Sequence, residues 1–504
     1  MQQHSPILIL AIPLLTAFAI SLFARKSDRL AQWLFVLAMA GAFLSAVSAF
    51  VSLLALGVPL HYRLGNWPPP FGIELVIDHL NGLILVVVSG VALLVAIYSM
   101  ATAVSEVPDR TPQSKVAERV PNFCVLACLM VTGLLGMTAT GDAFNLYVLL
   151  EITALSGYAL LALAGGRAYY ATFRYVIMGT IGACFYLLGV GYLYIKTGSL
   201  NMADLALLLQ SPDLRQSQAI RTGFICIIVG VWIKMAFFPM HGWLPNAYSR
   251  ATDTVSALVA PLVTKVSVYV MVRMMFTVFS VDYLFGTIQW SPLVVWCATA
   301  AIVFGSLSAL AQSDLKRMLC YLIVAEVGYM VGGAWLGNSP GFIGAVYHIG
   351  ADALMTACLF MAVGAVSFRS GDRSMDAMAH LFKMPVTAAV FLVGAASMVG
   401  IPPTAGFFSK WYLVAGGVQA GQYQFVAALL VSSLVNAFLF FRLIERAYFG
   451  FMQPKSAATG PFVREASFAM LLPMVSAAVL IVGFGLSTKV IIEHVIRLAL
   501  PGGF

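Results

Sequence analysis

The fold is decided by residues 219–273, AIRTGFICIIVGVWIKMAFFPMHGWLPNAYSRATDTVSALVAPLVTKVSVYVMVR. Two lysines, Lys234 and Lys265, lie well inside its apolar runs, and each run also contains a proline, Pro239 or Pro261. A lysine at the centre of a bilayer costs about 2.5–3.5 kcal/mol on insertion scales, so it normally faces a polar interior where it has a partner. Ionisable residues in such a setting indicate a functional site.

The composition of the whole chain points to a membrane protein. Of its 504 residues, 61% are hydrophobic and only 10% are charged, which is too little charge to cover a soluble core. About fourteen apolar runs are long enough to cross a ~30 Å hydrocarbon core as helices, and none alternates as a strand would. We therefore predict an all-α polytopic membrane protein whose first run, residues 5–24, is a retained span.

The basic residues predict the orientation of the chain. The net charge is +8, and the basic residues are concentrated in alternate loops, which the positive-inside rule places in the cytoplasm. Both termini are then on the outer side of a bacterial or archaeal inner membrane, and nucleic acid need not be a partner. Lys196, Arg215 and Arg221 depart from the pattern. The basic loop residues are Arg25, Lys26, Arg29, Arg110, Lys115, Arg119, Lys316, Arg317, Arg369, Arg373, Lys383, Arg446, Lys455 and Arg464.

The chain divides into four segments. Residues 1–119 form a three-helix scaffold, residues 120–280 and 285–450 form two blocks of about five spans, and residues 451–504 form a last helix and an amphipathic tail. Each block has one span interrupted at proline: at Pro239 after Lys234, and at Pro402-Pro403 before Lys410. Interrupted segments at corresponding places in two halves indicate inverted repeats with sites near the bilayer midplane.

In the first block, Glu151 is surrounded by apolar side chains, and a nearby lysine would keep its carboxylate charged. We expect it to pair with Lys234 as a proton site; the alternatives are a static buried salt bridge and a lysine that snorkels to the interface. His241 is either a shuttle between the two lysines or a structural histidine at the helix break. Lys265 would relay protons onward, and Arg273 is expected to reach the headgroups.

The second block carries further ionisable groups within its spans: Glu326, His348, Asp352 and Lys410. His348 and Asp352 are four residues apart and share a helix face, so we expect a hydrogen-bonded proton relay between them. The same spacing suits metal ligands, but two ligands without Cys or further His make a weak metal site. Asp314, Lys316 and Arg317 are interpreted as a solvated loop cluster.

No cofactor site or catalytic site is expected on this chain. The seven cysteines all fall inside apolar runs without a CxxC pair, so we predict buried small hydrophobic residues without disulfide or metal roles. No cofactor fingerprint is present, so any redox chemistry would belong to partner subunits. The choice between protons and sodium is left open, because acidic residues serve either ion.

Five motifs together resemble a known family: GDAFNLYVLLE, IKMAFFPMHGWLPNAY, VSALVAPLVTKVSVYVMVR, QSDLKRMLCY and PPTAGFFSKW, spread over residues 120–415. The family is that of the antiporter-like subunits shared by respiratory complex I, Mrp-type cation/proton antiporters and membrane-bound hydrogenases. The resemblance implies fourteen helices with two inverted five-helix repeats. It also implies roles: Glu151 and Lys234 as the coupled pair, Lys265 as the connecting lysine, and Lys410 as the terminal lysine.

The sequence departs from the family pattern at four places. Asp352 stands where a second histidine is common, Thr356 where a lysine is common, and Asp253 where a proline is common. Glu326 occupies a place more often held by His or Gln. The second half of the path is therefore expected to use carboxylates.

The function expected from these features is ion translocation by a membrane subunit of a multisubunit antiporter, hydrogenase or dehydrogenase complex. Protons would move along the Lys, Glu and His side chains at the midplane. Two alternatives remain: a structural subunit whose charges only hold the repeats together, and an independent solute symporter.

Overall fold

The computed structural model describes residues 4–102, 119–452 and 464–504. The basic loop residues Arg110, Lys115 and Lys455 lie outside the described residues. The α-helices are α1 Ser5–Ala19, α2 Asp28–Leu56, α3 Gly82–Thr102, α4 Arg119–Ala139, α5 Ala143–Ala162, α6 Arg167–Thr197, α7 Met202–Leu208, α8 Pro212–Gln216, α9 Gln218–Lys234, α10 Leu244–Arg250, α11 Asp253–Arg273, α12 Ser291–Leu310, α13 Leu315–Trp335, α14 Ser339–Ser370, α15 Pro385–Val399, α16 Ala405–Gln419, α17 Tyr423–Met452, α18 Phe468–Leu486 and α19 Thr488–Ile491.

Short wider or tighter helical turns extend or connect these helices. The π-helical turns are Ile20–Ala24, Met274–Phe279, Asp282–Ile288 and Ile492–Ile496, and the 3₁₀ turns are Leu64–Asn66, Met240–Trp243, Met375–Lys383 and Arg497–Ala499. Twelve helices in the described part of the chain are long and apolar enough to cross a membrane. The prediction of an all-α membrane protein is thereby confirmed in its class.

A two-stranded hairpin was not predicted. Strands β1 Leu60–Arg63 and β2 Glu74–Ile77 pair antiparallel with Leu60 opposite Ile77, and Pro68–Pro70 lie in their connection. The hairpin is fixed to the following helices, because Leu75 bridges to Thr140 and the Glu74 carboxylate accepts a hydrogen bond from Asn201 Nδ2 at 2.8 Å. These contacts bring the loops before α3, α5 and α7 to one end of the helices.

The two predicted helix breaks are present. The first separates α9 from α10, and Ala236 within it has a left-handed backbone with φ +59°. The second separates α15 from α16 and begins at Gly400, φ +93°, a conformation that glycine adopts without a steric penalty. Gly406 lets the two parts of this second span approach, since a Cβ there would overlap the Ser397 carbonyl oxygen.

Two long helices lie at the centre of the molecule. The most apolar stretches of α11 and α14 are entirely buried, whereas those of α2, α6 and α17 are less than half buried. In the first block α6 packs on α9, and in the second α14 packs on α15 and α16. Because α11 packs directly on α14, the two blocks meet where their ionisable residues lie.

The C-terminal tail is helical but does not extend away from the protein. It follows α18 through α19 and two short turns, and Thr488 hydrogen-bonds Tyr347 at 2.8 Å. The terminal Phe504 ring packs at 5.5 Å from Phe276 and 6.0 Å from Phe342. The interpretation of the cysteines was partly wrong, because Cys184 is exposed and Cys297 is half-buried.

Candidate functional site

The first pair of the site joins α5 to the end of α9. Glu151 Oε1 lies 3.6 Å from Lys234 Nζ, and their side chains are 28% and 7% exposed. Neither atom has a hydrogen-bond partner among the described residues. Lys234 is buried and so does not snorkel outward. The two groups are paired electrostatically, but they stand slightly beyond the ~2.6–3.2 Å at which a proton is exchanged directly.

The helix break holds Lys234 in place. α9 ends at Lys234, and the Trp243 indole after the break donates a hydrogen bond to the Ile233 carbonyl oxygen at 3.1 Å. The Trp243 ring stacks on Tyr175 of α6 at 4.1 Å. A carbonyl freed at the end of α9 is thereby satisfied, as buried backbone in a membrane requires.

The second pair lies between the two central helices. Lys265 Nζ of α11 is 2.9 Å from Asp352 Oδ2 of α14, with side chains 1% and 0% exposed. The ammonium also donates to the Ala260 carbonyl and to Thr356 Oγ1, both at 3.3 Å, and the Thr356 hydroxyl donates to Asp352 Oδ1 at 2.7 Å. Lys265 is therefore held by a carboxylate from the other block.

The third pair joins α13 to α14. His348 Nε2 is 2.6 Å from Glu326 Oε2, and His348 Nδ1 is 2.8 Å from the Ser409 hydroxyl; both His348 and Glu326 are fully buried. The expected relay between His348 and Asp352 was wrong in its contacts. The two residues share a face of α14, but each bonds to a side chain from another helix.

Lys410 lies on α16, directly after Ser409, and reaches back across the second break. Its ammonium donates to the Met398 carbonyl at 2.7 Å and to Ser433 Oγ at 3.3 Å, and it sits 5.1 Å from the centre of the Tyr329 ring. A cation is favourable at these last carbonyls of α15, where the helix dipole is negative. Among the described residues no carboxylate forms an ion pair with Lys410. Tyr329 also contacts the His348 ring at 5.5 Å.

His241 lies in the first break but does not contact either lysine by a hydrogen bond or ion pair within the described ranges. Its ring stacks on Phe238 at 5.4 Å and packs on Phe304 at 4.8 Å. Its Nδ1 has no hydrogen-bond partner among the described residues. The surroundings of His241 thus match the structural alternative more closely than the expected shuttle between Lys234 and Lys265.

Two expectations about charged residues were wrong. Lys316 is not in a solvated cluster; it is 1% exposed and its ammonium lies 2.9 Å from Asp253. Arg273 does not reach outward to headgroups, because it is 7% exposed and its guanidinium donates to both Asp78 carboxylate oxygens, at 2.6 and 2.9 Å. Both cations find partners far away in the sequence, which spacing alone does not reveal.

Several polar residues of the site were missed. They share hydrogen bonds with the ionisable side chains, with each other, or with the Met398 carbonyl that Lys410 also contacts: Ser409, Ser433, Asn436, Tyr329 and Ser432. Ser409 could have been found, because it directly precedes Lys410 in the GFFSKW motif. Ser433 and Asn436 are on α17, and no local pattern connects them to the second break.

Comparison with known proteins places this geometry in a family. The family model for the transmembrane part of NADH:quinone oxidoreductase and Mrp antiporter subunits matches residues 140–436. The chain is similar to NADH-quinone oxidoreductase subunit N of Desulforudis audaxviator, with 46% identity over 99% of both chains. It is also similar to the D-type Na(+)/H(+) antiporter subunit of Bacillus subtilis, with 30% identity over 86% of this chain and 84% of the relative.

A solved structure agrees with this placement. A chain in the membrane-bound sulfane sulfur reductase, an archaeal respiratory membrane complex, superposes with a TM-score of 0.86 at 29% identity, over 99% of this chain and 97% of that chain. The matched residues 140–436 include every ionisable residue of the three pairs and Lys410. The chain therefore belongs to the NADH:quinone oxidoreductase/Mrp antiporter transmembrane family.

Proposed function

We propose that this chain is a proton-translocating membrane subunit of a multisubunit complex. The observation that carries the proposal is the order of acid–base pairs within the helices: Glu151–Lys234, Lys265–Asp352 and Glu326–His348, followed by Lys410. Ionisable side chains within spanning segments mark ion pathways more often than they serve stability. If the charges served structure alone, each would be expected to have a close partner of opposite charge. Glu151 and Lys234 are instead 3.6 Å apart, and among the described residues Lys410 donates only to neutral oxygens.

The roles follow from the contacts. Glu151 and Lys234 would exchange a proton when their 3.6 Å separation closes. Lys265 and Asp352 would connect the two blocks, and Glu326, His348 and Lys410 would carry the proton through the second block. His241 is retained as a proton-transfer candidate only through water, since its described contacts are with aromatic rings.

The proposal includes the predicted repeats. If α9 with α10 and α15 with α16 each cross the membrane once, they add two interrupted spans to the twelve long ones, which makes the fourteen expected. Residues 120–280 and 285–450 would then be inverted repeats, each containing one break and one lysine beside it. Residues 1–119 would serve as a scaffold, and the termini would face the outer side of an inner membrane.

The test uses the assembled complex in sealed proteoliposomes with a pH-sensitive dye inside. Glu151→Gln and Lys234→Met should each reduce proton transport per assembled complex by at least ten-fold. Lys196→Met is the matched control, because it removes an exposed lysine at the end of α6 and leaves the pairs intact. Normal transport in both test variants at normal assembly would refute the proposal.

The second candidate is a structural subunit with no ion path of its own. It is favoured by the Lys265–Asp352 pair, which is fully buried and fixed by further hydrogen bonds. In that case the same substitutions would lower the amount of assembled complex and leave transport per complex unchanged. Quantifying this chain in the purified complex therefore separates the two functions. The same vesicles loaded with and without sodium determine whether a sodium gradient contributes.

A further inference from the structure

We propose that Lys316, which belongs to the second block, is a positioning residue. It sets the position of α10, the helical segment after the first break, and through α10 it sets the geometry at Lys234. The inference rests on the proposed function, because it concerns how the Glu151–Lys234 pair is held for proton transfer. We name residues 250–253, which join α10 to α11, the elbow.

Lys316 is brought to the elbow by the start of α13. Asp314 caps this helix by accepting a hydrogen bond from the Arg317 backbone N–H at 2.7 Å. The segment after α14 pairs with the same turn, since the Leu315 N–H donates to the Arg373 carbonyl at 3.2 Å. The start of α13 and the segment after α14, both from the second block, therefore meet beside the elbow.

The Lys316 ammonium contacts three oxygen atoms of the elbow and α11. It lies 2.6 Å from the Ala251 carbonyl, 2.9 Å from Asp253 Oδ1 and 3.1 Å from Ser256 Oγ. The contacts with Ala251 and Ser256 are hydrogen bonds, and the contact with Asp253 is an ion pair. The half-exposed Arg373 adds a second cation 3.6 Å from Asp253. The Asp253 carboxylate therefore lies between two cations, one from α13 and one from the segment after α14.

The contacts continue from the elbow to Lys234. The Ser256 hydroxyl donates to the Tyr248 carbonyl of α10 at 2.8 Å. At the other end of this seven-residue helix, Trp243 donates to the Ile233 carbonyl and stacks on Tyr175. Tyr175 in turn packs on Tyr158 at 4.6 Å, and Tyr158 is on α5, the helix that carries Glu151.

α10 is thus held at three places: by Lys316 through the elbow, by Trp243 against Ile233, and by aromatic packing against α5 and α6. A helix of seven residues has little stability of its own, so its position follows these contacts. A charged donor makes stronger hydrogen bonds than a neutral one, which is a reason for lysine at this place. A shift of the second block at α13 would move α10 and change the separation of Glu151 and Lys234.

The test measures proton transport per assembled complex for Lys316→Met, Lys316→Arg and the neighbouring control Arg317→Gln. We expect Lys316→Met to lower transport about ten-fold, Lys316→Arg to restore at least half of the wild-type rate, and Arg317→Gln to leave it unchanged. Wild-type transport in Lys316→Met, or no rescue by arginine, would overturn the inference. If Lys234→Met loses transport while Lys316→Met is fully active, this inference is overturned and the proposed function still stands.

A double-mutant cycle with Trp243→Phe tests the route. If Lys316 acts through α10, the two substitutions are non-additive, and the double variant transports at about the rate of the slower single variant. Additive losses would show that Lys316 acts independently of α10. If Lys316→Met does not assemble, Ser256→Ala decides. It removes the hydroxyl that accepts from Lys316 and donates to the Tyr248 and Thr252 carbonyl oxygens, and it leaves the ion pair between Lys316 and Asp253 in place. We expect a several-fold loss of transport in that variant, and an unchanged rate would overturn the inference.

Discussion

Asp352 of α14 and Lys265 of α11 form a buried ion pair of 2.9 Å between the two blocks of the chain. Each partner has further hydrogen bonds: Lys265 to Ala260 and Thr356, and Asp352 from Thr356. The pair therefore joins the halves both mechanically and electrostatically. The Asp352 carboxylate stands where the resemblance leads one to expect a histidine, so this connection is a feature of the present sequence.

Removing one partner of this pair should be more harmful than removing both. Asp352→Asn leaves the Lys265 ammonium buried without its counter-charge, and breaking such a pair costs about 3–5 kcal/mol. In Lys265→Met/Asp352→Asn no unpaired charge remains, so the free energy of unfolding should fall by less than it does in Asp352→Asn or in Lys265→Met alone. Denaturant unfolding of the purified chain in detergent measures both quantities. Additive effects would show that the two residues are not energetically coupled.

The close approach at the second break gives a prediction about Gly406. A Cβ at this position would overlap the Ser397 carbonyl oxygen, so Gly406→Ala must separate α15 from α16. We expect a loss of about 1–3 kcal/mol in the free energy of unfolding, typical of overpacking, and a weaker hold on Lys410. Gly483→Ala is the control, since a Cβ there has no atom within 4 Å among the described residues. Equal unfolding curves for the two variants would be inconsistent with the described geometry.

The Asp78–Arg273 pair predicts a pH dependence of stability. Burial alone would raise the pKa of Asp78, but the charge and the hydrogen bonds of Arg273, with hydrogen bonds from the Asn81 and Leu80 backbone, hold that pKa below its ordinary value. The ionised carboxylate thus stabilises the fold at every pH above about 4, its ordinary pKa. This stabilisation is lost as the pH falls through the lowered pKa.

Asp78→Asn leaves the Arg273 guanidinium without its counter-charge, which at pH 7 should lower the free energy of unfolding by about 3 kcal/mol. The melting temperature of the variant should therefore be clearly below that of the wild type at this pH. The gap between the variant and the wild type should narrow as the pH falls below about 4, because the wild type then loses the same charge. Thermal unfolding in detergent at about pH 7, 5 and 2, a range that extends well below the ordinary pKa, measures the gap. A gap that stays constant across this range would mean that the ionised form of Asp78 does not stabilise the fold.

The sequence was sufficient to predict the site residues that carry a charge within an apolar run. Lys234 and Glu151 are charges in apolar runs, and the cost of leaving either alone in a membrane predicts the pairing that the structure contains. The two breaks were predictable for a similar reason, since proline removes a backbone donor and disrupts the helix. The class of the fold followed from composition.

The contacts that were missed are those made over long sequence distances. Arg273 and Asp78 are 195 residues apart, and Lys316 reaches the Ala251 carbonyl 65 residues away. Lys316 sits beside Asp314 and Arg317 in a segment that resembles a solvated loop, so only packing reveals that it is buried. The spacing of His348 and Asp352 predicted a shared face correctly, but it could not show that Glu326 and Lys265 approach that face from other helices.

The proposed path extends through both blocks, so its most direct test lies in the second block, at Glu326. The measurement is the initial rate of proton uptake into sealed proteoliposomes that contain equal amounts of assembled wild-type or Glu326→Gln complex. A path through His348 and Glu326 predicts that the variant falls to the rate of empty vesicles. Proton uptake at the wild-type rate by fully assembled Glu326→Gln complex would contradict a path through this chain.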